Sequence, residues 1–144
     1  MQRNFWRAVG ALSVIFCVVS VANLYAMDKN GRYFAYGVGQ RTCEDYIKFR
    51  EKRLETLERH ERYTKDELYE IVDKIVEHWI AGFVTAHNYY VTDTYDLIGK
   101  TTMDEMKSRL EKICRADPKE HFVEAIIVLV QDLNPQRVKT DPGK

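Results

Sequence analysis

Seven side chains have the types that could do chemistry on their own: three cysteines and four histidines. Cys17 sits in an apolar run, whereas Cys43 and Cys114 lie in charged surroundings, as TCEDY and EKICRA. Neither has a second cysteine or histidine at ligand spacing, which disfavours zinc. His60, His78, His87 and His121 never fall three or four residues apart, so no metal motif forms. His87 with Asp93 or Asp96 could make an acid–base pair across a loop, but solvated loop residues are the plainer reading. Gly37-Val38-Gly39 is no phosphate loop, since neither a strand nor a P-loop lysine accompanies it. The expectation is a chain with no catalytic residues, no metal and no cofactor. What remains is thiol oxidation.

Whether thiols oxidise depends on compartment. Arg3 and Arg7 precede the apolar run from Ala8 to Ala22, and the segment NLYA follows. Positive charge, apolar stretch and small residue in that order have the form of a secretory signal peptide. Cleavage after Ala26 is preferred, with Ala22 as the alternative, making residues 1–26 a leader. The competing reading is an uncleaved anchor, because extension to Met27 is just long enough to span a bilayer. Asn23 interrupts that span. Cys17 follows Phe16 rather than a small residue, so it is not a lipoprotein cysteine and leaves with the leader. A periplasmic location follows, with two cysteines. An even count in an exported chain of this size reads as a disulfide, Cys43 with Cys114, against the alternative of two buried free thiols. Closing so long a loop is worth roughly 4 kcal/mol in the chain-entropy model.

The 144 residues are 45% hydrophobic and 31% charged, which suits one modest globular core. Without Arg3 and Arg7 the chain carries two more acidic than basic residues, interspersed, a poor nucleic-acid footprint. Residues 27–41, rich in glycine and aromatics, read as an extended arm. Thr42 with Asp45 forms a capping box with Asp in the acid position, opening a helix to about Arg62. Its outer face has Glu44–Lys48, Glu55–Arg59 and Glu58–Arg62 at a spacing of four. Its apolar stripe of Tyr46, Ile47, Leu54 and Leu57 is thin and gapped at Arg50 and Glu51. Thr64 and Glu67 box a second helix to about Asn88, with Leu68, Ile71, Val72, Ile75, Val76, Trp79, Ile80, Phe83 and Val84 on one core-facing side. Thr101 or Thr102 caps a third helix that faces Met103, Met106, Leu110 and Ile113 inward. Asp117-Pro118-Lys119-Glu120 reads as a helix start. The run FVEAIIVLVQDL behind it fits a central buried helix better than a strand. Asn134-Pro135 stops that helix, leaving 135–144 as a loose tail. The expected fold is all-α: a small disulfide-stapled bundle of about four helices over 42–134.

Thr42-Cys43-Glu44-Asp45-Tyr46, then Gly82-Phe83 with Ala86 and Asn88, then Asp96-Leu97, Gly99, Cys114 and Phe122, occur in an order that resembles the periplasmic acid-stress chaperones HdeA and HdeB. The resemblance implies a compact all-helical domain with one disulfide, on Cys43 and Cys114, and no catalytic residues. It also implies dimers that separate and partly unfold in acid, then hold denatured proteins through exposed apolar surface. This chain departs from the pattern in a longer stretch between Cys43 and Gly82-Phe83, which puts the family's dimer and client surfaces in doubt. The Rap1a/Tai immunity proteins share the general plan, with a motif order that fits less well.

Two functions follow as expectations: an HdeA-like holder of acid-denatured proteins, or a dedicated binding or immunity protein for one partner. A second copy of the chain is an open option, and membrane contact arises only through an uncleaved leader. Trp79, Phe83, Tyr89 and Tyr90 are the candidate partner surface, with burial the plainer fate of Trp79. Below about pH 4 the carboxylates lose charge while the basic groups keep theirs, and repulsion favours an expanded state. A disulfide would survive and keep that state compact.

Overall fold

The computed structural model describes residues 28, 30, 32–53 and 62–143. The leader, Leu54, Leu57, the pair Glu55–Arg59 and Glu58 of the pair Glu58–Arg62 lie outside the described residues. The chain divides into two units, residues 1–34 and 35–144. In the first, the Asp28 carboxylate accepts from the backbone N–H groups of Asn30 and Arg32, each at 2.8 Å. The second is all-helical, with α1 (Cys43–Arg50), α2 (Lys65–Tyr90), α3 (Met103–Ala116) and α4 (Phe122–Leu133). Short 3-10 turns at Gly37–Gln40 and Asn134–Gln136 flank this set.

Three of the four described helices begin with a reciprocal capping box, and in each the local pattern S/T-x-x-acid suffices. Thr42 Oγ1 accepts from Asp45 N at 3.2 Å, Thr64 Oγ1 from Glu67 N at 3.3 Å, and Thr102 Oγ1 from Glu105 N at 3.2 Å. The fourth start differs from the sequence expectation. Asp117-Pro118-Lys119-Glu120 is a turn, closed by Lys119 N donating to the Asp117 carboxylate, and α4 begins only at Phe122. The reason is long-range. The Pro118 and Glu120 carbonyls accept from Glu44 N and Cys43 N, and Phe122 N donates to Arg41 O, all at 2.8 Å. The segment is held in this turn because it supplies acceptors to the otherwise orphaned first N–H groups of α1.

Helix α1 stops at Arg50, well short of the expected Arg62. Lys52 takes a left-handed conformation (φ 53°), Arg53 N donates to Lys48 O, and Lys52 N donates to Phe49 O. This is a Schellman cap with lysine where glycine is usual. The expected Glu44–Lys48 pair is present at 2.8 Å. Helix α2 runs to Tyr90, two residues beyond the expected end, about 39 Å in all. Its apolar stripe does not all face the core. Leu68, Val76, Ile80 and Val84 are buried and Val72, Trp79 and Phe83 half-buried, but Ile71 and Ile75 are 42% and 51% exposed. At 100° per residue the nine positions spread over an arc of roughly 220°, wider than the surface beneath them can cover.

Helix α4 is the centre of the bundle, with Phe122, Ile126, Leu129 and Leu133 almost wholly buried. Helices α1, α3 and α4 approach one another closely along their backbones, and α2 lies against the 37–40 turn. Cys43 and Cys114 form a disulfide (S–S 2.05 Å, Cα–Cα 4.8 Å) joining the start of α1 to the end of α3. Both sulfurs are buried in the core. After α4 the chain returns to the α2–α3 loop, where Val138 and Asp96 exchange backbone hydrogen bonds of 2.8 and 3.0 Å. This anchors a loop whose Leu97 is fully buried and whose Leu97 N donates to the Asn88 side chain.

The 37–40 turn lies against Trp79. The indole Nε1 donates to Tyr36 O at 3.0 Å, and a methyl group on Gly39 would overlap the six-membered ring. Trp79 cannot retreat, because it packs on Phe83 and Phe122 with ring centroids 5.8 Å away in each case. Gly39→Ala is therefore expected to destabilise the fold by about 1–3 kcal/mol, read as a lower urea midpoint.

Candidate functional site

Two features stand out on α2: an outer face without formal charge and an inner cluster of ion pairs. From His78 to Tyr90 the sequence HWIAGFVTAHNYY contains no Asp, Glu, Lys or Arg, although the preceding half of the helix carries seven. Along this stretch Ala81, Gly82, Thr85 and Ala86 are exposed, and a side chain on Gly82 would meet only open space. Tyr89 and Tyr90 end the face, 81% and 80% exposed, with their rings edge to face at 4.9 Å. Of the four candidate residues, Trp79 and Phe83 form a half-buried stack turned toward Phe122, and the tyrosines form a separate exposed pair. Helical geometry places Phe83 and Tyr90 on one stripe, about 10 Å apart along the axis.

The inner cluster centres on Lys107 of α3, which is 4% exposed. Its ammonium donates to Asp73 and Glu77 of α2 at 2.8 Å each and pairs with Asp104 at 3.2 Å. Arg50 of α1 lies 3.8 Å from Asp73 and 3.5 Å from Glu111 of α3. Arg115 continues the network to Glu111 and Glu51, each at 2.7 Å. One set of charges thus links α1, α2 and α3. Hydrogen bonds from Lys107 and Lys74 hold the Glu77 carboxyl down at about 2. Burial disfavours the Lys107 ammonium, but its bonds to Asp73, Glu77 and Asp104 outweigh that and raise it. Beneath it, Tyr46 donates its hydroxyl to the Lys107 carbonyl at 3.1 Å, and burial pushes the phenol up to about 12.

Sequence reasoning missed this cluster. The signal was a lysine beside Met106 and three residues before Leu110, on the inward arc of an amphipathic helix, where an unpaired ammonium is not tolerated. The imagined pairing of His87 with Asp93 or Asp96 does not form. His87 Nε2 is buried without a hydrogen-bond partner, burial lowers its pKa, and the Asp96 carboxylate accepts from Ile98 N instead. Among the described residues no group of three or more metal-ligating side chains converges, and no helix is long and apolar enough to cross a membrane. Comparison of this chain with protein-family models, characterised proteins and solved structures gave no match.

Proposed function

We propose that this chain is an exported, non-enzymatic helical protein that holds acid-denatured periplasmic proteins and limits their aggregation. The observation that carries the reading is the outer face of α2 from His78 to Tyr90. Depletion of charge with exposed tyrosine is the composition of a protein-binding surface rather than of a solvated helix. The ordered resemblance of the mature chain to HdeA and HdeB supports a client-holding role. The disulfide supports it too, because a covalent bridge is unaffected by acid and limits how far the chain expands.

The test is light scattering of two unrelated client proteins brought to pH 2–3 with and without this chain, then neutralised. Protection of both clients and their recovery are expected. Replacing Tyr89 and Tyr90 together by serine should raise the amount needed for half-protection several-fold, since aromatic anchors dominate such interfaces. Equal protection by the double variant would remove the face from the mechanism.

One observation favours a second reading, a dedicated partner-binding or immunity protein: the face is already exposed in the folded state. Such a protein should bind one partner tightly at neutral pH and protect no unrelated client in acid.

A further inference from the structure

A groove of about 840 Å³ runs between the 37–40 turn, α1 and α2, a size that suits one small ligand. Its walls differ in chemistry. The α2 wall is aliphatic: Val72, Ile75 and Val76. Tyr46, Phe49 and Phe122 close the inner side, none of them more than 6% exposed. Tyr46 brings only its ring, because its hydroxyl is spent on the Lys107 carbonyl. Ile75 is 51% exposed, so a ligand seated here would take from water an aliphatic side chain that the fold itself does not cover.

The polar groups of the groove all come from one stretch, as Gln40, Arg41 and Asp45. Arg41 is the cation among them. Its backbone N–H and carbonyl are used by Val38 and Phe122, while its side chain is exposed and makes no ion pair among the described residues. Lys48 and Arg50 of α1 and Lys74 of α2, by contrast, are each held by a carboxylate. Asp45 is the acid of this rim, and it is already committed. Its carboxylate accepts from Thr42 N at 3.4 Å in the capping box, at the positive end of α1. An apolar trough thus ends beside one cation without a counter-charge, and the neighbouring acid penalises a second negative charge on whatever binds. The α2 wall offers no polar side chain to the amide groups of a peptide, which favours a hydrocarbon tail.

We infer that this groove is a binding site for a single-chain aliphatic carboxylate of the fatty-acid class, with the tail laid along Val72, Ile75 and Val76 and the carboxylate on Arg41. The site is separate from the outer face of α2, since Tyr89 and Tyr90 take no part in it.

Titration of the full chain at pH 7 with dodecanoate, kept below its micelle concentration, tests this by calorimetry and amide NMR. Saturable one-to-one binding is expected, with a Kd on the order of 100 μM or tighter and with shifts concentrated at residues 38–49 and 72–76. Dodecyltrimethylammonium, the same chain with the opposite charge, should bind at least about fivefold more weakly, and Arg41→Gln should weaken dodecanoate about fivefold, the size of one exposed ion pair. Arg41→Lys should restore most of that loss. Ile75→Gln, at an exposed position, should weaken both amphiphiles. Replacing Tyr89 and Tyr90 by serine should leave dodecanoate binding unchanged. Binding only at micelle-forming concentration, equal affinity for the two head groups, or shifts confined to residues 78–90 would each overturn the site. Any of these results leaves the client-holding reading as it stands, because that reading is tested on the other face and by scattering.

Discussion

Replacing Cys43 and Cys114 together by alanine is expected to lower the stability of this protein by about 4 kcal/mol, most of what a small domain has in reserve. The bridge spans 71 residues, so the unfolded chain regains a large loop when it is lost. The cost is concentrated in α1, eight residues that cannot persist as an isolated helix and whose N-terminal cysteine is one end of the bridge. Urea unfolding should show the loss in midpoint, and thermal melts a fall of roughly 15 °C or more. The oxidised wild type should resist reductant under native conditions because both sulfurs are buried, and urea should accelerate its reduction. A double variant with wild-type stability would mean that packing alone holds α1 in place.

Lys107→Ala is expected to cost about 1–3 kcal/mol at pH 7, because it removes the buried partner of Asp73 and Glu77 and leaves them only the outer cations Arg50 and Lys74. The effect should depend on pH in a defined direction. The Glu77 carboxyl is lowered from 4.5 to about 2 in the folded protein, so its contribution is fully present above pH 4.5 and is lost as pH falls toward 2. Wild type and variant should therefore differ most near neutrality and converge near pH 2. Denaturant midpoints collected at several pH values check this; a gap that stays constant into acid would show that Lys107 acts by packing rather than by charge.

The features legible in the sequence are those set by neighbours within a few residues or by composition. The three capping boxes need only positions i and i+3, and the disulfide joins the two cysteines that lie outside the apolar amino-terminal run. The central helix FVEAIIVLVQDL follows from its length and unbroken apolar character. What stayed hidden depends on partners far along the chain. Nothing local shows that the carbonyls of Pro118 and Glu120 are claimed by Cys43 and Glu44, so the turn reads as a helix start. Lys52 ends α1 without the glycine that would have announced it. The Lys107 pairs connect residues 30 and 34 positions apart, beyond any helical periodicity. At the candidate surface, exposure of Tyr89 and Tyr90 follows from their place at the end of the stripe, whereas the stacking of Phe83 on Trp79 needed the fold.

The shared backbone bonds between α1 and the 118–122 segment also bear on the order in which the molecule can be made. Synthesis runs from the amino end, yet the first helix lacks acceptors for its leading N–H groups until residue 120 has emerged. Its thiol lacks a partner until residue 114 has done so. Folding cannot proceed piecemeal behind the ribosome, and α1, the first of the described helices, is among the last to be completed. A nascent chain halted before Cys114 should carry a reactive, unprotected Cys43, leaving it open to mispairing for longer than its position near the start would suggest.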